Sequence, residues 1–290
     1  CVVNAIEYDH ADIYPDLDSI NREFTKLVLG IPPSGTALCC VDFNNVGNLV
    51  AEWRRSAQCR IVTFGLDSSA DVIISKRIQN GLTQQVEVTS KEFGNFTFSV
   101  PLPGAFNAKN ALATMLVGLV NGFEIDRLKE AVSSFQPVKR RQEVRFNAGG
   151  VVLIEDFAHH PTAVNETIAG IREAFPDKQI WAIFEPRSNT SRRKVFQEDY
   201  IKAFRGARVA ILCDVTARAI DNNIELIDVR ELSEKIGATG TESICLPNPQ
   251  AIEEYVASRL SSNDVILLMS NGSFGGLPQS LEKRLRSTIR

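Results

Sequence analysis

Several signatures that would assign a function directly are missing from this sequence. Its six cysteines include no C-x-x-C pair, which argues against a zinc site and favours buried free thiols in a reducing compartment. Neither G-x-G-x-x-G nor G-x-x-x-x-G-K-[ST] occurs, so the chain carries no dinucleotide fingerprint and no phosphate-binding P-loop. A dehydrogenase is therefore a weak interpretation, and nucleotide binding would have to depend on other residues.

Long apolar runs and a strong excess of charge are also missing. The most apolar helical stretch, residues 111–120, is too short to cross a bilayer, and no signal peptide is visible. These features predict a cytoplasmic protein without a membrane partner. A net charge of −3 gives no general attraction to nucleic acid. Anion binding would come from two basic clusters, residues 139–141 and 187–194, although a charge run is as often a solvated face.

What the sequence does contain is an alternation of strands and helices. Its 290 residues, 44% of them apolar, suggest two domains with sizeable cores. The first half predicts helices near 17–28, 45–55, 107–120 and 126–135, strands near 37–43 and 60–64, and antiparallel strands within 71–100. The second half predicts strands near 151–156, 180–185, 208–213, 242–246 and 264–269, between helices near 162–175, 192–204, 228–237, 249–260 and 277–288. This regular alternation is typical of a doubly wound α/β domain with a mainly parallel sheet.

Polar side chains follow two consecutive strands of that second half. Asp156 ends one predicted strand and His159 comes shortly after it, while Arg187 and Arg192 follow the next strand. Ligands of open parallel sheets bind outside the carboxyl ends of the strands, so we expect a site here. Guanidinium groups pair bidentately with carboxylates and phosphates, which indicates a polyanionic substrate.

Plainer explanations stand beside each of these motifs. The neighbouring His159 and His160 point in different directions in an extended segment, so they are poor joint metal ligands, and this loop could simply cap a helix. Residues 7–12 contain several metal-capable side chains but also suit a capped turn. The segment 270–276 could cradle an anion or form an ordinary glycine-rich turn.

Taken together, these segments resemble the Mur ligase family, ATP-dependent enzymes that build the peptide of bacterial peptidoglycan. Residues 4–10 look like the family's central-domain motif, and residues 106–111 are similar to its H-N-x-x-N-A motif, with Phe106 in place of the usual His. Residues 139–143 match its basic hinge. The resemblance implies that residues 1–142 are the C-terminal part of the central ATPase domain and that residues 143–290 form the Rossmann-like C-terminal domain.

The resemblance also implies which residues hold the cofactors, ATP and Mg²⁺. His10 would be a catalytic residue that ligates magnesium. Asn107 and Asn110 would lie on the adenine side of ATP, Arg141 near the nucleotide, and Asp156 against its ribose. A carbamoylated lysine that stabilises magnesium in several family members has only a loose match here, and we assign none.

On the substrate side, His159 would face the incoming amine as a catalytic and substrate-binding residue. Arg187, Ser188, Asn189 and Arg192 are candidates for recognising substrate carboxylates, both from their place after a strand and from the resemblance. Both steps of the family's chemistry, phosphorylation of a carboxylate and attack of an amine on the acyl phosphate, develop negative charge on oxygen. Cationic side chains at this edge suit that chemistry.

Within the family, residues 7–13, 184–190 and 269–276 resemble the murein peptide ligases. These join L-alanyl-γ-D-glutamyl-meso-diaminopimelate to UDP-N-acetylmuramate in peptidoglycan recycling, which makes these two molecules the expected partners. The alternatives are a UDP-N-acetylmuramate–L-alanine ligase and a non-catalytic α/β nucleotide-binding module. The sequence leaves open which diamino acid the peptide carries and whether the protein self-associates.

The beginning of the chain departs from the family pattern. Cys1 opens directly into an apolar run without an initiating Met, whereas family members carry a P-loop, a second magnesium ligand and a UDP-binding domain ahead of the motif at Asn4. We therefore expect a C-terminal portion of a longer enzyme that binds nucleotide weakly and does not turn over ATP alone. An upstream strand followed by a P-loop in the coding sequence would support the ligase.

Overall fold

The computed structural model describes residues 1–11, 13–215 and 225–289. Its internal contacts divide the chain into two compact units, Cys1–Gln136 and Pro137–Arg290. Each unit contains one six-stranded sheet. The fold class is therefore α/β in both halves, as the sequence predicts.

The first unit is a mixed sheet with four helices. Its strands lie in chain order across the sheet, with β1 to β4 parallel and β4 to β6 antiparallel. The strands are β1 (Val2–Val3), β2 (Thr36–Cys40), β3 (Arg60–Gly65), β4 (Val72–Asn80), β5 (Thr83–Ser90) and β6 (Phe96–Val100). The helices are α1 (Leu17–Leu29), α2 (Asn44–Ser56), α3 (Ala105–Val120) and α4 (Ile125–Ser133).

Local sequence explains where these elements begin and which face they bury. Asp16 caps α1 by accepting the N–H of Ser19 at 2.7 Å, so the acidic residues before this helix include a true N-cap. In β2, Leu38 and Cys39 point to opposite faces and enter separate apolar clusters. The cluster around Leu38 packs against α3 and the one around Cys39 against α1 and α2, so both faces of the sheet are covered.

The second unit is a doubly wound sheet with the strand order β11-β10-β9-β12-β8-β7. All neighbours are parallel except the edge pair β7–β8. The strands are β7 (Glu143–Ala148), β8 (Val151–Asp156), β9 (Gln179–Phe184), β10 (Val209–Cys213), β11 (Glu242–Leu246) and β12 (Asp264–Met269). The helices are α5 (Pro161–Ala174), α6 (Gln197–Ala203), α7 (Val229–Ala238), α8 (Pro249–Ala257) and α9 (Leu277–Thr288).

Two differences from the sequence prediction lie near the candidate site. Strand β7 was not predicted, although its residues alternate polar and apolar from Glu143 to Ala148. It directly follows the basic cluster at 139–141, and its pairing with β8 contains a register shift between Val144 and Phe146. The helix predicted near 192–204 is shorter: a 3₁₀ turn at Lys194–Phe196 precedes α6. The residues before that turn are therefore loop.

The strand order decides which loops are neighbours. Strand β12 returns between β8 and β9, and in this register Met269 pairs with Asp156 on one side and with Phe184 on the other. The loops after β8, β12 and β9 consequently start side by side at the carboxyl edge of the sheet, where strand order reverses. Such a reversal is the usual ligand position in this class of fold.

None of the described helices is both long and apolar enough to cross a membrane.

Candidate functional site

Asp156 ends β8 as a buried carboxylate, 5% exposed. Its Oδ2 accepts the N–H of Gln142 at 2.9 Å and its Oδ1 accepts the N–H of Ala158 at 2.7 Å. Burial raises the pKa of this carboxyl above its ordinary value, while the two backbone donors and the charge of Arg141 lower it. The carboxylate thus binds two segments at this edge of the sheet: residues 139–142, called the linker below, and the start of the β8–α5 loop.

The linker is further held by Arg140, which the sequence did not single out. Its Nε donates to Glu155 Oε1 at 3.0 Å, and its Nη2 donates to the carbonyl oxygens of Ser270, at 2.8 Å, and Gly272. Arg140 and Gln142 have positive φ values of 62° and 49°, a backbone that costs non-glycine residues about 1–2 kcal/mol each. These side-chain and backbone bonds hold the linker in that conformation.

Glu155 is the centre of a buried ion-pair network. Its side chain is 7% exposed and pairs with Arg140 at 3.0 Å and Arg145 at 2.9 Å. Arg145 also reaches Glu282 of α9 at 2.8 Å. Because a buried carboxylate needs several partners to offset its desolvation, the network fixes both guanidinium groups. Two adjacent arginines in the sequence therefore have different roles, since Arg140 is tied down and Arg141 is exposed.

Phe157 forms an aromatic platform beneath these arginines. The guanidinium carbons of Arg140 and Arg141 lie 5.1 and 4.9 Å from its ring centroid, within the range of cation–π attraction. The imidazole of His159 meets the same ring edge-on at 5.5 Å. Phe157 therefore gathers one exposed guanidinium and one imidazole, both predicted site residues, beside Asp156.

His159 has a defined tautomer in this arrangement. Its Nδ1 lies 3.0 Å from the carbonyl oxygen of Phe157, and because a carbonyl can only accept, Nδ1 carries the proton. In the neutral ring Nε2 is then the acceptor. The buried hydroxyl of Tyr200 in α6 donates to the His159 carbonyl. His160, by contrast, packs edge-on against Phe196 at 5.4 Å and makes no side-chain cap to α5.

The loop after β9 contains the predicted carboxylate-recognition residues in different environments. Arg187 and Asn189 are exposed, whereas Arg192 is buried at 6% exposure. The hydroxyl of Ser188 accepts the N–H of Ser191 at 2.9 Å and donates to its hydroxyl at 2.8 Å, so it shapes the turn. Recognition of a substrate by any of these four residues stays a prediction.

The loop after β12 joins the two preceding loops. The N–H of Ser270 donates to the carbonyl of Asp156 at 3.1 Å, its hydroxyl donates to Glu185, and the N–H of Gly272 donates to that hydroxyl at 2.9 Å. The side chain of Arg187 lies directly against Gly272. The structure thus brings Asp156, Arg141, His159 and Arg187 to one edge of the second unit, as the sequence predicts.

In the first unit, α3 contributes the predicted adenine-side residues. Asn107 is buried, and its Nδ2 donates to the carbonyl of Pro103 at 2.7 Å. Asn110 is exposed, and its Oδ1 accepts the amide of Asn4 at 2.8 Å. Since Asn4 directly follows β1, the N-terminal turns of α3 lie at the carboxyl edge of this sheet, where a ligand is expected.

Lys109 is a second residue in this turn that sequence reasoning missed. It is 8% exposed, with its ammonium 3.5 Å from Asp42 Oδ2 and 4.8 Å from the ring centroid of Phe43. Asp42 also accepts the N–H groups of Leu66 and Asp67 at 2.7 and 3.0 Å. From the sequence, a lysine between two asparagines indicates a solvated helix residue, and only the tertiary structure places it beside Asp42, in the loop after β2.

His10, the predicted magnesium ligand, lies in a turn between β1 and α1. It is exposed, has a positive φ of 51°, and its N–H donates to Asp9 Oδ1 at 2.7 Å. Within residues 1–11, 13–215 and 225–289, no three His, Cys, Asp or Glu side chains gather as a metal site; Asp12 lies outside the described residues. These residues do not by themselves fit a magnesium site, so His10 as a ligand stays a prediction and no step is assigned to the metal.

The family models match almost the whole chain in two consecutive parts. Residues 1–118 match the model described as the Mur ligase middle domain, and residues 140–272 match the one described as the Mur ligase glutamate ligase domain. These matches cover the β1–α3 segment and the segment from Arg140 to Gly272. Both candidate edges therefore lie within family-typical sequence.

Individual curated relatives support the same family. A UDP-N-acetylmuramate–L-alanine ligase of Desulfitobacterium hafniense is 30% identical over 283 residues, which are 97% of this chain and 61% of the relative. One from Salinibacter ruber is 29% identical over 93% of this chain and 56% of its own length. The chain thus spans about three fifths of these curated relatives.

Solved structures agree on the fold. A murein peptide ligase from Psychrobacter arcticus superposes with a TM-score of 0.66 at 24% identity, covering 100% of this chain and 58% of that one. A UDP-N-acetylmuramate-alanine ligase from Thermotoga maritima gives a TM-score of 0.76 at 19% identity, covering 99% and 59%. At these identities the likeness supports the fold and does not separate the two branches.

Proposed function

Because this chain carries the middle and C-terminal domains of the Mur ligase family, we propose that it belongs to an ATP-dependent ligase that forms an amide bond on UDP-N-acetylmuramate. The name of the substrate comes from the curated relatives. Cell-wall precursor synthesis in the cytoplasm is the corresponding setting. The single observation that carries the proposal is the edge of the second unit, where carboxylate, imidazole and guanidinium groups are held together.

The contacts at that edge suit the roles proposed for each residue. Arg141 presents an exposed guanidinium on the Phe157 ring, which suits the phosphates of a nucleotide. Asp156 offers a fixed carboxylate that suits a ribose hydroxyl donor. His159 keeps Nε2 as an acceptor in the neutral ring, which suits contact with the protonated or attacking amine. In the first unit, Asn107 and Asn110 supply amides that suit a purine edge.

The amine substrate has two candidates. L-alanine is favoured by the names of the curated relatives. The tripeptide L-alanyl-γ-D-glutamyl-meso-diaminopimelate is the second candidate, because the loop after β9 presents Arg187 and Asn189 at the surface, where a substrate with several carboxylates would gain more than L-alanine does. Guanidinium pairing with each further carboxylate contributes about 1.5–3 kcal/mol.

The experiment is a coupled assay with UDP-N-acetylmuramate, ATP and magnesium, in which each amine is supplied separately. We expect ADP release that depends on both the acid and one of the amines, and a product whose mass equals the amide. The assay compares this 290-residue chain with a version extended by any upstream coding sequence, because we expect the chain alone to be inactive. The ratio of kcat/KM for tripeptide and L-alanine decides between the two branches.

Two outcomes would contradict the proposal. ADP release without dependence on UDP-N-acetylmuramate would indicate another acceptor, and nucleotide binding without turnover in every version would favour a non-catalytic binding module. Arg141→Ala should raise the KM of ATP more than that of the amine, whereas Arg187→Ala should do the reverse. Equal effects of either variant on both substrates would remove that residue from its proposed role.

A further inference from the structure

Gly272 has a backbone that is held from both sides. Its N–H donates to the hydroxyl of Ser270 at 2.9 Å, and its carbonyl accepts from Arg140. Ser270 is itself bonded through its N–H to Asp156 and through its hydroxyl to Glu185. Since these partners belong to the neighbouring strands and the linker, the backbone at position 272 has little room to yield.

The space above this backbone is filled by a side chain from another loop. A Cβ built on Gly272 would overlap Cδ, Nε and Nη1 of Arg187, which follows β9. Gly272 is not among the positive-φ glycines of the described residues, so alanine fits its backbone conformation. Glycine is therefore needed here for the close approach of Arg187 and not for a turn that other residues could not make.

A substituent at this position would have to displace one of two groups. The backbone is fixed by the hydrogen bonds above, whereas Arg187 is exposed and has several rotatable bonds. The guanidinium would therefore move away from the edge of the sheet. A planar guanidinium recognises a carboxylate through its orientation as well as its charge, so such a displacement would weaken recognition while leaving the net charge unchanged.

We propose that Gly272 is a specificity-determining position for the amine substrate, because the missing side chain lets the Arg187 guanidinium lie across the edge of the sheet and bind a substrate carboxylate. The inference rests on the proposed function, in which L-alanine and the tripeptide both carry a carboxylate. Gly272 acts through Arg187 and is a positioning residue. It does not itself contact the reacting atoms.

A double-mutant cycle tests this role in whichever version of the protein forms the amide in the assay described above. Gly272→Ala, Arg187→Ala and the double variant are assayed with the amine varied at saturating ATP and UDP-N-acetylmuramate. We expect the amine KM to rise on the order of tenfold for Gly272→Ala and about 10–100-fold for Arg187→Ala, with the KM of ATP unchanged. The double variant should match Arg187→Ala alone, since no guanidinium is left to displace.

Gly237→Ala is the matched control. Gly237 lies in α7, and a Cβ there would meet nothing within 4 Å, so all three Michaelis constants should stay at the parental values. An unchanged amine KM in Gly272→Ala, or effects that multiply in the double variant, would overturn the inference. So would an equal rise in the KM values of ATP and amine, because that result indicates general damage to the edge.

Urea unfolding of each variant shows whether it folds. If Gly272→Ala fails to fold, Arg187→Lys replaces it, because lysine keeps the charge and loses the planar fork; an unchanged amine KM in that variant would equally overturn the inference. Absence of amide formation by every unsubstituted version, the extended one included, would reject the proposed function itself. Amide formation with an amine KM insensitive to these substitutions would reject only the role of Gly272.

Discussion

Polar residues at the strand ends are held differently in the two units. In the second unit, Glu155 and Asp156 are buried and bonded to the linker, and Arg140 is shared between a carboxylate and two carbonyls. In the first unit, His10 and Asn110 are exposed; the N–H of His10 donates to Asp9, and the side-chain oxygen of Asn110 accepts from Asn4. The second edge is preorganised by the fold, whereas much of the first keeps contact with solvent.

This difference has a direct consequence for stability and binding. A buried, fully bonded charge is costly to disturb, because removal of one partner leaves the other buried without compensation. An exposed amide can be rehydrated when its partner is lost. Substitutions at the buried Glu155 and Asp156 should therefore combine structural and functional effects, while those at the exposed His10 and Asn110 should be mainly functional. Each unit contains one of the two tryptophans, Trp53 and Trp181, so fluorescence can report the units separately.

The largest effect is expected from Glu155→Ala. This substitution leaves Arg140 and Arg145 without their shared carboxylate, and breaking such a pair should lower the free energy of unfolding by about 3 kcal/mol. Urea unfolding followed by Trp181 fluorescence in a Trp53→Phe background measures it. The matched control is Glu92→Ala in the first unit, followed through Trp53 fluorescence in a Trp181→Phe background. It removes an ion pair with Arg60 whose side chains are about half exposed and should cost less than about 1 kcal/mol. Equal losses would contradict the contrast between the units.

An intermediate effect is expected from Asp156→Asn. The amide cannot accept at both positions, so one of the N–H groups of Gln142 and Ala158 loses its acceptor, and stability should fall by about 1–3 kcal/mol. Burial raises the folded pKa of Asp156, so the parent loses stability as pH rises from about 4, the unfolded pKa, through the folded pKa. The difference in free energy of unfolding between the parent and Asp156→Asn should therefore become smaller as the pH rises through this range.

Asp67 in the first unit provides a control, because its pKa is shifted in the direction opposite to that of Asp156. The backbone and side-chain hydrogen bonds of Ser69 lower the pKa of this exposed carboxyl. Its contribution to stability is present above the unfolded pKa and is lost as pH falls through the folded pKa. Asp67→Asn should remove that acid-side loss. The free energy of unfolding is measured from pH 3 to 7 for the parent, Asp156→Asn and Asp67→Asn. If both substitutions change its pH dependence in the same direction, the opposite pKa shifts assigned to the two carboxyls are contradicted.

The smallest effect on stability is expected from Asn4→Ala. The hydrogen bond from its side-chain amide to Asn110 is exposed to solvent. Its loss should lower the free energy of unfolding by about 0.5–1 kcal/mol, measured through Trp53 fluorescence. The matched control is Asn121→Ala, which removes an exposed hydrogen bond from the Asn121 side-chain amide to the Val117 carbonyl. If Asn110 contacts the nucleotide as proposed, the ATP KM should rise in Asn4→Ala and not in the control. A loss as large as that of Glu155→Ala would remove the distinction between the edges.

Much of the second unit could be predicted because its parallel strands are continuous apolar runs. Val151–Asp156 and Asp264–Met269 are buried along their whole lengths, and such runs stand out from amphipathic helices. Strand β7 escaped prediction although Glu143–Ala148 alternates polar and apolar residues, because this short edge strand lies between a basic run and two consecutive glycines, which are typical of a linker. The 3₁₀ turn before α6 escaped it because local periodicity does not distinguish a loop with helical spacing from a helix.

The candidate site could be predicted only as a set of residues near each other. Arg140 and Arg141 are the same residue type in adjacent positions, so nothing local indicates that one is tied to Glu155 and two carbonyls while the other is exposed. Lys109 was missed for a similar reason, since its partner Asp42 lies 67 positions earlier in the numbering. Such pairings depend on contacts between distant segments.

By itself, the sequence determined the alternation of strands and helices and placed carboxylate, imidazole and guanidinium groups after strand ends, because apolar periodicity is a local property. Only the tertiary structure decided that β12 lies between β8 and β9. That order brings Gly272 beneath Arg187 and Ser270 beside Asp156. Strand pairing across long sequence separations sets these neighbours, since it depends on burying both faces of the whole sheet at once.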